Sequence, residues 1–293
     1  MKKCIVWQRG SSSAEVNPLL ASLEVGILNS GDGWRVVRRN LALACLQDGR
    51  EPADLVLVDG WRSRHRLVAD EFMRCGVPVV VADLGFLNRA TTYTDENAHY
   101  QVSVNGLCNL SADDCPADRF DALGMALVKN RQRKAGPVVF CGQVPEDGQH
   151  GLGAQALFDW HEAAVETVRH HTERELLFRP HPRMSDIRNV PGGIDVQSSE
   201  TVSAAECLRT AGMIVTYNST MGTEALLKGV PVFCSPAAMY APVACTDLTR
   251  IEEGADAMGD REEYFRRLAY LQWTHSEMRS GECFAFIRQQ LRI

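Results

Sequence analysis

The sequence predicts an α/β protein built as two doubly wound lobes in tandem, and three observations carry that prediction. Short, continuous apolar runs alternate with segments of helical period along most of the 293 residues, the pattern of parallel strands joined by crossover helices. The alternation halts at a charged stretch ending in Gly136-Pro137 and then begins again, which divides the chain. The length suits two α/β domains of ordinary size better than one core.

In the first lobe, residues 4–7 read as a strand, because the apolar run after Lys2-Lys3 meets Arg9 and is too short for a signal-peptide core. Residues 34–47 read as a helix with Val37, Leu41 and Ala44 on one side. A strand at 55–58 ends at Asp59-Gly60, a helix covers 62–74, and a strand at 77–81 ends at Asp83-Leu84-Gly85. A long irregular region over 84–117 follows, of the kind that carries function in α/β units. The second lobe opens with a strand at 138–141 and a helix at 153–171, with Leu157, Trp160, Ala164 and Val168 on one stripe. Strands at 176–178 and 194–196, a helix at 201–210, a strand at 213–217, a helix at 220–228 and a strand at 230–233 complete it. The expected boundaries are thus a first lobe of 1–134, a second of 135–260, and a helical tail of 261–293 packing back across the lobes.

The net charge of −6 argues against a uniformly basic, nucleic-acid-binding surface. Two local basic runs stand out, 129–134 and the group Arg62, Arg64, His65 and Arg66, each readable as a solvated face or a phosphate contact. No stretch reaches the ~20 apolar residues of a membrane span. Ten cysteines show neither a Cys-x-x-Cys clip nor zinc spacing, so reduced, buried thiols in a cytoplasmic protein are expected.

Two segments carry chemistry. The first follows the strand at 213–217: Asn218-Ser219-Thr220-Met221-Gly222-Thr223-Glu224-Ala225-Leu226, closing at Gly229. Hydroxyl residues there cap a helix, and its first turn offers backbone N–H groups and the positive end of the helix dipole. Ser219, Thr220 and Gly222 are small enough to admit a phosphate oxygen, and Glu224, a turn further in, can accept from ribose hydroxyls or an Arg; a capped crossover helix without a ligand fits the same residues. The second segment is Arg179-Pro180-His181-Pro182-Arg183 at a strand end. Its prolines stop both strand and helix, and Arg179, His181 and Arg183 can surround a diphosphate or carboxylated sugar.

Gly151-Leu152-Gly153-Ala154-Gln155-Ala156 fits a dinucleotide pattern in letters only, because the preceding strand ends about eight residues too early. Those glycines instead let the loop Gly142-Gln143-Val144-Pro145 approach a ligand. Neither a Gly-x-x-x-x-Gly-Lys-Ser/Thr loop nor an Asp-x-Asp triplet occurs, so no metal is expected and neutralisation falls to helix dipoles and basic side chains. For a base that accepts a hydroxyl proton, Asp83 at a strand end and Asp32 between Gly31 and Gly33 are the candidates, each also readable as a plain turn or cap residue.

Together, Arg179-Pro180-His181-Pro182 and the segment Asn218 to Leu226 resemble the C-terminal lobe of capsule-polysaccharide-type GT-B glycosyltransferases, a group that includes Kdo transferases. They are similar also to glycosyltransferase-like proteins of phages, some of which decorate hydroxymethylated pyrimidines in DNA. The likeness covers 170–235 well and the remainder in outline. It implies a GT-B-like fold of two Rossmann-type lobes with a cleft between them, acceptor on the first and nucleotide-sugar donor (a UDP-sugar foremost) on the second. It implies His181, Ser219, Thr220 and Gly222 for the phosphates and Glu224 for the ribose; Gln143, Arg179, Arg183 and Asn218 complete the expected donor set. The expected activity is sugar transfer to a hydroxyl, with hydroxymethyl-pyrimidine DNA or a surface polysaccharide as acceptor. A sugar-nucleotide epimerase and a non-catalytic binding protein are the alternatives.

Overall fold

The computed structural model describes residues 1–8, 17–42, 51–109, 115–130, 135–184 and 190–293. The chain divides into two units, Met1–Leu123 with Arg266–Ile293, and Gly124–Phe265. Both boundaries differ from those expected at 134 and 260, and backbone hydrogen bonds explain why. Val128 N donates to Leu227 O, and Arg261 holds the Leu226 and Val128 carbonyls, so 124–130 and 261 belong to the second unit.

In the first unit, β1 (Lys2–Gln8), α1 (Pro18–Asn29), β2 (Trp34–Asn40), β3 (Leu55–Asp59), α2 (Ser63–Met73), β4 (Val79–Leu84), β5 (Tyr100–Val104) and α3 (Asp118–Ala122) follow in order. The sheet runs β2-β1-β3-β4-β5, with β2, β1, β3 and β4 mutually parallel and β5 antiparallel to β4. Its central strands are apolar at successive positions because both faces are covered. Cys4, Val6, Leu55, Leu57, Val80 and Ala82 meet α1 through Leu19, Leu20, Leu23 and Ile27, whereas Ile5, Trp7, Val56, Val58, Val79 and Val81 meet α2 through Val68, Ala69 and Phe72.

The expected helix at 34–47 is instead β2, paired with β1 over all seven residues, Lys2 to Trp34 through Gln8 to Asn40; residues 43–47 of that expectation lie outside the described residues. A three-to-four spacing of apolar side chains was present, but a sheet edge and the β-branched Val36 and Val37 favoured the two-residue period. The irregular region at 84–117 contains β5. Its Tyr100 is fully buried and its hydroxyl donates within the loop at 92–95, so a packed strand end organises that loop. The helix α1 went unread, although Asn17 caps it and Pro18 stands at its first position, a start signal written in the sequence.

The second unit contains β6 (Val138–Cys141), α4 (Ala154–Arg169), β7 (Leu176–Arg179), β8 (Asp195–Val196), α5 (Ala204–Thr210), β9 (Met213–Thr216), α6 (Thr220–Leu227) and β10 (Val232–Cys234). All five strands are parallel in the order β10-β9-β6-β7-β8. One face packs Phe140, Phe178 and Val215 against Ala164, Val165 and Val168 of α4. These elements agree with the sequence reading to within a few residues at each end.

The chain re-enters the first unit within α7 (Glu262–Tyr270) and continues as β11 (Gln272–Trp273), α8 (His275–Ser280) and α9 (Glu282–Leu291). The expected helical tail is therefore part of the first lobe and carries a strand, β11, antiparallel to β5. Met278, Cys283, Phe284 and Ile287 complete the core beside α1. Arg119 holds the return in place: it donates to the Ala269 and Gln272 carbonyls, pairs with Glu277 at 2.7 Å, and lies 3.9 Å from the Trp273 ring centre. No described helix is long and apolar enough to cross a membrane. Cys4, Cys141, Cys207, Cys234 and Cys283 are buried thiols, and burial raises the pKa of each.

Candidate functional site

In the second lobe β6 comes first, β7 and β8 extend the sheet to one side, and β9 and β10 extend it to the other. The direction of winding reverses between β6 and β9, and doubly wound sheets bind ligands at that point, beyond the carboxyl ends of the strands. The sequence-predicted donor residues fall there: Gln143 after β6, Arg179 to Arg183 at and after β7, and Asn218 to Glu224 after β9.

Helix α6 begins as expected. Ser219 is its cap, with Oγ accepting from Met221 N at 3.3 Å. Ser219, Thr220 and Glu224 are half-buried. Glu224 lines a cavity of about 340 Å³ between α5 and α6, with Ala205, Leu208, Arg209, Leu227 and Lys228. Across the sheet, His181 is half-buried and Arg183 exposed in a short 3-10 turn, Pro182–Met184. Arg183 N donates to His181 Nδ1 at 3.1 Å. With Nδ1 accepting, the proton of the neutral ring sits on Nε2, which makes that nitrogen a donor. β7 and β9 flank β6, so their ends stand about 10 Å apart, a span a nucleoside diphosphate can bridge.

Four of the expected ligand contacts prove to be internal. Arg179 is 6% exposed and donates from Nη1 to Val202 O at 2.7 Å, which fastens the loop before α5 to the end of β7. Gln143 and Asn218 bind each other: Gln143 Nε2 donates to Asn218 Oδ1 at 2.6 Å, and Gln143 Oε1 accepts from Asn218 N at 2.9 Å and Thr216 Oγ1 at 3.3 Å. Asn218 Nδ2 donates to Gln149 O. Their hydrogen-bonding capacity stitches the β6 and β9 loops together. Gly222 faces the buried Tyr240 rather than open space: a Cβ there would lie 2.3 Å from the ring. Tyr240 in turn donates its hydroxyl to Ser219 O at 2.8 Å, and burial holds its pKa well above the usual range. Gly222 is thus small to admit Tyr240, which braces the helix start from beneath.

Sequence reasoning missed the loop after β8. Gln197 N donates to Phe178 O, and the Gln197 Oε1 and Ser199 Oγ atoms are buried without a partner among the described residues. Nothing in their local pattern marks them; only the strand order puts them at this edge.

In the first lobe, Asp83 lies near the carboxyl end of β4, where its Oδ1 accepts from Tyr93 Oη at 2.9 Å and from Leu84 N at 2.8 Å. Asp32 does not share that edge. It precedes β2, whose first residue pairs with Lys2, so it stands at the amino ends of the strands, in an ion pair with Arg288 of α9. The expectation of Asp32 as a base is corrected on that ground. Among the described residues no group of three or more His, Cys, Asp or Glu is placed to hold a metal.

Two doubly wound lobes in tandem, the second parallel throughout and the first parallel but for β5 and β11, are the GT-B type of fold. A solved structure of Thermosulfurimonas dismutans KpsC, beta Kdo 2,4 transferase, matches with a TM-score of 0.61 and 18% identity over 98% of this chain and 97% of that one. A second, the beta Kdo 2,7 transferase of the same protein, gives 0.47 and 13% over 97% and 99%. The Methanocaldococcus jannaschii UDP-GlcNAc 2-epimerase gives 0.32 and 12% over 99% of both chains. The first of these likenesses defines the fold, and at this identity it speaks for the fold alone. No family model and no curated protein matches the sequence.

Proposed function

We propose that this chain is a glycosyltransferase that holds a nucleotide-activated sugar on its second lobe and passes the sugar to a hydroxyl acceptor. The observation that carries the reading is the start of α6 at the β6/β9 switch point, capped by Ser219 and braced by Tyr240, with the His181 turn on the other side of β6. The helix dipole and N–H groups of the first turn attract phosphate oxygens. His181 Nε2–H and the Arg183 guanidinium supply donors and positive charge from the β7 side. As the sugar leaves, negative charge grows on the diphosphate, and these groups stabilise it without a metal. Glu224 and the cavity beside it receive the nucleoside, ribose hydroxyls donating to the carboxylate. Asp83 is the candidate acceptor of the hydroxyl proton.

The name of the Thermosulfurimonas dismutans beta Kdo 2,4 transferase supports transfer of a sugar. The basic run that suggested DNA lies mostly outside the described residues, at 131–134, and nothing described favours a duplex.

A thermal-shift panel of UDP-, CMP-, GDP- and dTDP-sugars tests the reading. A true donor at a hundredfold excess over its Kd stabilises the protein by about 2.7 kcal/mol, and Glu224→Gln and His181→Ala each weaken it about tenfold or more, the range of a lost charge-assisted hydrogen bond. A panel in which no nucleotide or nucleotide sugar raises the melting temperature overturns the proposal. Interconversion of a sugar nucleotide without any acceptor identifies an epimerase instead.

A further inference from the structure

Asp83 lies near the end of β4, and the loop that follows, 85–99, returns to the sheet as β5. Buried side chains of the returning C-terminal segment hold this loop at two points. Gln272 of β11, fully buried, accepts through Oε1 from Leu87 N at 2.8 Å and from Phe86 N. Gly85 lets the backbones come this close, because a Cβ there would lie 2.3 Å from His99 O. His275, the first residue of α8, is 1% exposed; its Nε2 lies 2.9 Å from Tyr93 O and its Nδ1 2.8 Å from Ser22 Oγ. A carbonyl only accepts, so Nε2 carries the ring proton and donates to Tyr93 O, and Nδ1 of the neutral ring accepts from the Ser22 hydroxyl. Ser22 stands on the buried face of α1 among Leu19, Leu23 and Ile27, where a hydroxyl without a partner would be costly.

This chain of bonds ends on Asp83. The Tyr100 hydroxyl donates to Thr92 O at 2.9 Å, His275 holds the next carbonyl, that of Tyr93, and the Tyr93 ring packs against the core beside α1. So placed, Tyr93 donates its hydroxyl to Asp83 Oδ1 at 2.9 Å, and Leu84 N donates to the same oxygen at 2.8 Å. Two donors on Oδ1 select one orientation of the carboxylate. Its Oδ2 is turned toward Gly60 at the end of β3, 3.6 Å from where a Cβ of that residue would stand. We propose that Ser22, His275 and Tyr93 form a positioning relay that fixes the orientation of the Asp83 carboxylate, with Gln272 holding the loop beside it. A base displaced by about 1 Å can lose about a hundredfold in rate, which is what such a relay prevents. The relay stands on the hydrogen bonds alone; the use of Asp83 as the proton acceptor rests on the transferase reading.

His99 is the control on the same loop. It is half-buried, and its Nδ1 lies 3.2 Å from Asn88 Nδ2, so it ties the loop to itself and has no bond to Tyr93 or Asp83 among those described. A variant that merely loosens the loop should act alike at His99 and at His275; one that breaks the relay should not.

The test uses the full chain labelled with 13C at the aspartate carboxyl carbons. The Asp83 resonance is identified by its loss in Asp83→Asn and followed at one fixed neutral pH. Tyr93→Phe and His275→Leu are expected to shift it. His275→Gln, whose amide N–H replaces Nε2–H, should leave it near the native position, and His99→Phe should leave it unmoved. Nucleotide release from UDP-, CMP-, GDP- and dTDP-sugars is measured alongside. Tyr93→Phe should lower kcat about tenfold or more with the KM for the donor unchanged, and His275→Gln should recover most of what His275→Leu loses. The relay is overturned if Tyr93→Phe leaves the Asp83 resonance unmoved, or if His99→Phe shifts it as far as His275→Leu does. Should His275→Leu not fold, Tyr93→Phe decides. A resonance that moves as expected while Asp83→Asn turns the donor over at the native rate supports the relay and defeats Asp83 as the base. An unmoved resonance with turnover lost in Asp83→Asn defeats the relay and leaves the transferase reading standing.

Discussion

Between β6 and β9, Gln143, Thr216 and Asn218 satisfy one another, whereas between β1 and β3, Gln8, the half-buried Asp59 and His65 keep side-chain atoms with no partner among the described residues. The two positions are topologically equivalent, each the reversal point of a doubly wound sheet. In the second lobe the polar side chains over that point have become a brace, and the ligand groups have moved outward, to the start of α6 and the turn after β7. In the first lobe, polar groups at the reversal point itself have no partner among the described residues. An orphaned buried polar atom costs about 1–3 kcal/mol, a cost that an ordered water relieves. Occupancy of the same topological position therefore does not by itself tell which side chains meet a ligand.

The largest effect concerns His161, buried in the second lobe between the Trp160 and Phe178 rings. Burial holds the His161 pKa at about 4, against 6.5 for an ordinary histidine. Above pH 6.5 the ring is neutral in both folded and unfolded chains and nothing is lost. As pH falls from 6.5 to 4 the unfolded chain takes up a proton that the folded chain refuses, so stability falls by about 3 kcal/mol over that window and no further below it. His161→Met should remove this slope from acid denaturation curves read in the second lobe. A slope that persists in the variant would mean that other groups set the acid limit.

A paired substitution tests the comparison most directly. Gln143→Met strips Asn218 N, Asn218 Oδ1 and Thr216 Oγ1 of their partner and should destabilise the second lobe by about 1–3 kcal/mol. Gln8→Met removes an orphan and should leave the first lobe unchanged or more stable by about 1 kcal/mol. Because two lobes need not unfold together, amide hydrogen exchange within each sheet is the appropriate measurement. Equal losses in the two variants would erase the contrast.

Smallest of all is Asp32→Asn. It breaks a half-exposed ion pair with Arg288, worth under about 1 kcal/mol, and from the amino edge it should leave sugar transfer unaltered. A large loss of turnover in that variant would return Asp32 to the chemistry.

Much of this molecule is written locally. The valine runs at 55–58 and 79–81 specify buried parallel strands because no other element hides side chains on both faces, and Ser219 and Gly229 mark the ends of α6 because caps follow backbone geometry at single residues. The positions of Asp83 and the His181 turn at strand ends were legible for the same reason, each following an apolar run. What the sequence left undecided are matters of partnership across distance. Trp34 to Asn40 has a pattern that fits either period, and only seven pairings with β1 decide it. Arg179 reads as an anion ligand until Val202, 23 residues away, takes its guanidinium; Gly222 reads as space for phosphate until Tyr240 fills it. Gln8, Asp59 and His65 span 57 positions of chain and share no motif. Charge, hydrogen-bonding capacity and size are properties of a residue, but whether they are spent is a property of its neighbours, and the fold alone chooses those.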